Sequence, residues 1–191
     1  MRWPVFLIFA YIALALETGV SGRLGPGTLG GVSPSFVVLL VVFISLFAPR
    51  ATALWACWLL GVLMDLSAPC ARSGLGGVFL IGPYALGYVF GCVLILQLRA
   101  LVFRKRVLTF ALLTFICMLA ISLVVVGVFA IRTWYAESPR PVYFETTAMH
   151  ELLRRFGMSV YTSLLAIPLG WLLVRCHPVW GFASPLQHRG W

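Results

Sequence analysis

Long apolar stretches dominate this chain. Val78–Leu98, Val107–Ile131 and Met158–Val174 each reach the length a helix needs to cross hydrocarbon, roughly 20 residues for a layer about 30 Å thick. Ala51–Leu66 is nearly long enough, while Trp3–Leu16 and Phe36–Phe47 are short. As helices, such runs satisfy their own backbone groups, which a bilayer requires. Composition points the same way. Of 191 residues, 62% are hydrophobic and 10% charged, with mean hydropathy +1.03, against about a quarter charged residues in soluble domains. The expected fold is all-α: a polytopic integral membrane helix bundle of about six transmembrane helices, the third to sixth strongest, forming one domain over residues 1–191.

Polar segments set the connections. Residues 17–35 are rich in Gly, Ser and Pro and read as an outer loop. Ser33-Pro34-Ser35 marks the start of the second helix, since Ser can cap and Pro fits a first turn. Pro49-Arg50 divides Phe36–Leu66 into two arms, either two spans or a re-entrant hairpin; both return the chain to the same side. Arg2 before the run Trp3–Leu16 has the look of a signal peptide, but no A-x-A-type site follows, so an uncleaved first span is expected. Residues 132–156 form a second outer loop. It opens on Thr133-Trp134-Tyr135, and Met149, Leu152, Leu153 and Phe156 then recur at helical spacing. That short amphipathic helix either lies on the membrane surface or leads into the last span. No internal repeat is visible.

Charge orients the bundle. With six spans and the N-terminus inside, inner segments hold Arg2, Arg50, Arg99, Arg104, Lys105, Arg106, Arg175 and Arg189 and no acid. Outer segments hold six arginines and all five acids, Glu17, Asp65, Glu137, Glu145 and Glu151. Lys and Arg gather on the cytoplasmic side, so both termini are expected there, with 175–191 as a cytoplasmic tail. Arg99, Arg104, Lys105 and Arg106 weigh most, because they sit in a short loop between two strong spans; anionic lipid or a cytoplasmic partner is the other use for them. The net charge of +9 thus belongs to topology. Nucleic acid is not an expected partner, since no basic stripe with interleaved aromatics is present.

Ala53, Cys57, Gly61 and Asp65 recur every four residues and share one helix face. Small residues there let another backbone approach. Asp65 ends the face, either as a functional carboxylate or as a helix-end acid reaching headgroup water. Gly87-x-x-x-Gly91 is a second small-residue motif, and Pro83 kinks its helix unless the first turn begins there. These two faces are expected to pack against a partner or each other. The loop Ser67–Gly77 carries Gly74, Gly76 and Gly77, which suit tight backbone turns, but lacks the order of a phosphate-binding loop. The five cysteines form no C-x-x-C pair, and His150, His177 and His188 have no partner at a metal-ligand spacing. No nucleophile elbow or zinc-protease motif is present. The chain is expected to be non-enzymatic, with no metal and no cofactor.

Pro34-Ser-Phe-Val-Val-Leu-Leu-Val-Val-Phe43, Trp58-Leu-Leu-Gly-Val-Leu-Met-Asp-Leu66, Gly74-Leu-Gly-Gly77 and Tyr84-Ala-Leu-Gly-Tyr88 occur in that order. Together they resemble the MreD family, the rod shape-determining membrane proteins of bacteria, over about residues 34–131. The departures are Ser35, where the family often has an acid, and the longer loop with Cys70 and Arg72. The resemblance implies a scaffold subunit of the cell-elongation machinery in the cytoplasmic (inner) membrane. It implies pairing with MreC and support for peptidoglycan synthesis by RodA and its penicillin-binding transpeptidase, with MreB reached indirectly. It also implies a fold similar to the substrate-binding subunits of energy-coupling-factor vitamin transporters, which makes such a subunit the alternative function.

Overall fold

The computed structural model describes residues 2–23, 33–67, 71–73, 76–78, 82–99, 107–132, 148–176 and 180–181. Within these residues six helices carry the fold: α1 Trp3–Arg23, α2 Phe36–Phe47, α3 Arg50–Ser67, α4 Pro83–Leu98, α5 Val107–Arg132 and α6 Ala148–Arg175. A small antiparallel hairpin, β1 Ala71–Ser73 and β2 Gly76–Val78, lies between α3 and α4. Among the described residues two helices are long and apolar enough to cross a membrane, through Leu108–Val128 and Leu153–Arg175. Shorter apolar helices run over Trp3–Gly19, Phe36–Phe47 and Pro83–Leu98.

Several boundaries correct the sequence-based expectation. Residues 17–23, expected in the loop over 17–35, belong to α1. Thr18 turns its hydroxyl back onto the Leu14 and Ala15 carbonyls at 3.0 and 3.2 Å, so its polarity is absorbed within the helix. The fourth helix begins at Pro83 and not at Val78. Pro83 stands in its first turn, where no amide is needed, and Gly82 turns the chain at φ 142°. Val78 pairs with Ala71, Gly77 with Arg72 and Gly76 with Ser73, so the segment expected as a glycine loop contains paired strands. The short amphipathic helix expected within the second outer loop is helical as expected, and of its two readings the structure takes the second: residues 148–156 are the first turns of the single 28-residue helix α6. The amphipathic stretch therefore leads directly into the long apolar helix.

The core forms around α2. This helix has 12 residues, about 18 Å, and ten of them are buried. It touches all five other helices. A helix apolar on every side is stable only when covered on every side. Its polar ends then need partners inside the protein. At its start Ser35 is the cap, its Oγ accepting from the Val38 amide at 3.4 Å. Pro34 precedes the helix instead of entering its first turn. The Ser35 amide donates to Thr162 Oγ1 of α6 at 3.1 Å. At the other end, Arg99 at the C-cap of α4 donates from Nη1 to the Ala48 carbonyl at 3.0 Å and the Ser45 carbonyl at 3.5 Å.

The chain beyond α6 was expected as a tail over 175–191, yet Trp180 enters the core. Its ring lies 4.9 Å from Phe9 and 5.2 Å from Phe43, and its carbonyl accepts from the Arg2 amide at 3.1 Å. The start of α1, the ends of α2, α4 and α6, and the start of α3 therefore gather at one end of the bundle. Arg2, Arg50, Arg99 and Arg175 mark that end, while Glu17 and Asp65 lie toward the opposite one.

Trp180 is fully buried whereas Trp171 is 54% exposed. Trp180→Ala is expected to cost about 3 kcal/mol by deleting a core ring, and Trp171→Ala about 0.5 kcal/mol or less. Thermal unfolding of the purified variants checks this; equal losses would contradict the docking of Trp180.

Candidate functional site: two acids on two helix starts

Asp65 closes α3 and is fully buried. Its carboxylate sits on the start of α4. Oδ2 accepts from the Gly82 amide at 2.8 Å and the Ala85 amide at 3.1 Å, and Oδ1 accepts from the Tyr84 amide at 3.1 Å. Pro83, between them, has no amide to offer. The first amides of a helix lack intrahelical acceptors, and the helix dipole places partial positive charge there. A carboxylate answers both. Asp65 thus neither reaches headgroup water nor stands as an open intramembrane acid: it is a helix cap supplied by the neighbouring helix.

Glu17 repeats this arrangement. Its Oε2 accepts from the Phe36 amide at 2.8 Å, the Val37 amide at 3.1 Å and Ser35 Oγ at 3.3 Å, all at the start of α2. The sequence separations match: 19 and 20 residues to Phe36 and Val37, and 19 and 20 to Tyr84 and Ala85 from Asp65. The α1–α2 and α3–α4 hairpins are wired alike. No residue motif is shared apart from an acid late in one helix and a proline where the next begins.

Ala53, Cys57, Gly61 and Asp65 do share a buried face, and α4 covers it. A methyl group on Gly61 would overlap the Ala85 Cα and stand 2.8 Å from the Tyr84 carbonyl oxygen. Gly87 and Gly91 look the other way, onto α5. A methyl on Gly91 would lie 2.8 Å from Cys117 Sγ, and one on Gly87 3.2 Å from Ile121 Cγ2. The two small-residue faces therefore do not meet each other. α4 turns one side to α3 and the other to α5, and both close approaches are internal. Gly76 and Gly77 lie in β2. Arg99 caps α2 in addition to carrying charge at its end of the bundle. Gly74, Arg104, Lys105 and Arg106 lie outside the described residues.

Cys57, Cys92 and Cys117 are buried on α3, α4 and α5, with Ser45 Oγ 3.7 Å from Cys57 Sγ. They fill space as small hydrophobes do. Among the described residues no group of three or more His, Cys, Asp or Glu is placed to hold a metal. Sequence reasoning missed the capping roles of Glu17 and Arg99 and the inward turn of Trp180. For Glu17 the available signal was its placement late in an apolar run before Pro34-Ser35, matching Asp65 before Gly82-Pro83. No family model, curated protein or solved structure matches the chain.

The Gly61 contact is with backbone, while the Gly87 contact is with a side-chain methyl that can shift. Gly61→Ala is therefore expected to destabilise by about 3 kcal/mol and Gly87→Ala by about 1 kcal/mol or less. Thermal unfolding of the two variants decides it; similar losses would contradict the α3–α4 crossing described.

Proposed function

We propose that the chain is a polytopic membrane scaffold of the MreD type, with its helices in the bacterial inner membrane and both termini cytoplasmic. One observation carries the reading. Among the described polar groups of the interior, Glu17, Asp65, Arg99 and Thr162 join one helix to another and Ser45, Thr114 and Ser159 bond within their own helices, while the outward surface is apolar. Leu7, Ile8, Tyr11, Trp55, Leu112, Leu123, Leu153 and Leu164 are all exposed, Tyr11 by 76%. Apolar surface on this scale is what lipid or a partner helix covers. The basic end carrying Arg2, Arg50, Arg99 and Arg175 supports a cytoplasmic orientation.

In this reading α2 is a half-length helix enclosed by the other five, and the remaining helices meet lipid. The scaffold is non-enzymatic. It docks MreC, a single-span partner, and through it supports RodA and its transpeptidase in peptidoglycan synthesis and cell shape. The docking surface is not the Gly61 face, which Ala85 already fills, so it lies on the outer surfaces of the helices.

A tagged chain at native level, solubilised from bacterial membranes in mild detergent, should recover MreC together with RodA and its transpeptidase by mass spectrometry. Recovery of paired ATPase subunits and a coupling protein, with no elongation proteins, would overturn the proposal in favour of a vitamin-transporter subunit.

A further inference from the structure

An apolar groove of about 740 Å³ runs along α6, with Phe36 of α2 contributing to its wall. Leu165, Ile167, Pro168, Trp171 and Leu172 provide much of the rest. Ile167, Trp171 and Leu172 are themselves exposed, so the groove opens outward from the helix surface. Its volume falls within the range of roughly 300–1,000 Å³ typical of small-molecule sites. Pro168 lies within it and has no amide to return to the Leu164 carbonyl, which weakens the α6 ladder there. At the C-terminal end of the groove, the Arg175 guanidinium stands 5.2 Å over the Trp171 ring. The ring thus holds a fixed cation one turn beyond the apolar lining.

Resting on the membrane reading above, we propose that this groove is a lipid site. It takes one acyl chain of an anionic glycerophospholipid from the cytoplasmic leaflet, with the lipid phosphate at Arg175. Three observations select that occupant. The lining is apolar along its length, which suits a hydrocarbon chain and offers a polar substrate no hydrogen bond. The lining side chains are large, whereas a close helix crossing needs Gly, Ala or Ser. The cation is a guanidinium, whose planar fork matches phosphate oxygens, and it sits at the basic end of the bundle.

The full chain is reconstituted in nanodiscs of equal parts phosphatidylglycerol and phosphatidylethanolamine, solubilised, washed, and its retained lipid measured by mass spectrometry. Phosphatidylglycerol should be retained about fivefold over phosphatidylethanolamine, as expected of one basic contact. Ile167→Trp, which fills the groove from an exposed position, should abolish retention. Arg175→Gln should keep a bound lipid but lose the preference. Retention that neither variant changes, or no preference in the unaltered chain, would overturn the site. So would a photoreactive residue at Leu172 that crosslinks in membranes to another polypeptide instead of to lipid. Release of the chain from membranes by an alkaline wash would instead overturn the membrane reading itself.

Discussion

A carboxylate seated on the first amides of a neighbouring helix is the interaction on which this bundle depends. A helix that begins inside a protein presents amides with no intrahelical acceptor, and a carboxylate inside a protein loses its water. Each alone is costly; placed together, each removes the other's cost. Asp65 does this for α4 and Glu17 for α2. Arg99 completes α2 from its far end, where the dipole is negative. A 12-residue apolar helix can lie in the middle of the fold because both its ends are answered by charge.

Close packing and capping are one device at the α3–α4 contact. The Ala85 amide that donates to Asp65 belongs to the residue whose Cα occupies the space a side chain at Gly61 would need. Gly61 lies one turn before Asp65 on the same face. Only with Gly61 bare can the start of α4 come near enough for the carboxylate to reach three amides. The spacing that marks Ala53, Cys57, Gly61 and Asp65 in the sequence is thus the imprint of a single crossing.

Much of the helical layout was legible because long apolar runs have few alternatives. Val107–Ile131 lies within one residue of α5, and a helix start at Pro83 was one of the two readings of that proline. The spacing of Met149, Leu152, Leu153 and Phe156 marked the start of α6, but the end of α1 was not legible, because residues 17–23 are polar or glycine-bearing and look like loop by composition alone. Their helicity follows from where individual side chains go: Thr18 onto its own helix, Glu17 onto α2. Trp180 escaped notice because one aromatic after a Pro-containing tail carries no periodic signal. The shared face of Asp65 was readable, but its partner lies 19 residues away across a loop, a distance no local pattern spans. The resemblance to the MreD family rests on short apolar motifs. Independently of any resemblance, the structure gives Asp65 within the Gly61–Leu66 element a physical reason: it caps α4.

A scaffold of the proposed kind needs a stiff interior and an outer surface free to meet lipid and partners. The capped helix starts provide the first, and the exposed apolar helix faces provide the second. The most direct measurement is amide hydrogen exchange at Phe36, Val37, Tyr84 and Ala85 in lipid nanodiscs. Slow exchange at all four is predicted, with Tyr84 and Ala85 speeding up in Asp65→Ala while Phe36 and Val37 stay slow. Exchange at the rate of an uncapped helix end, or indifference of Tyr84 and Ala85 to the loss of Asp65, would contradict the account.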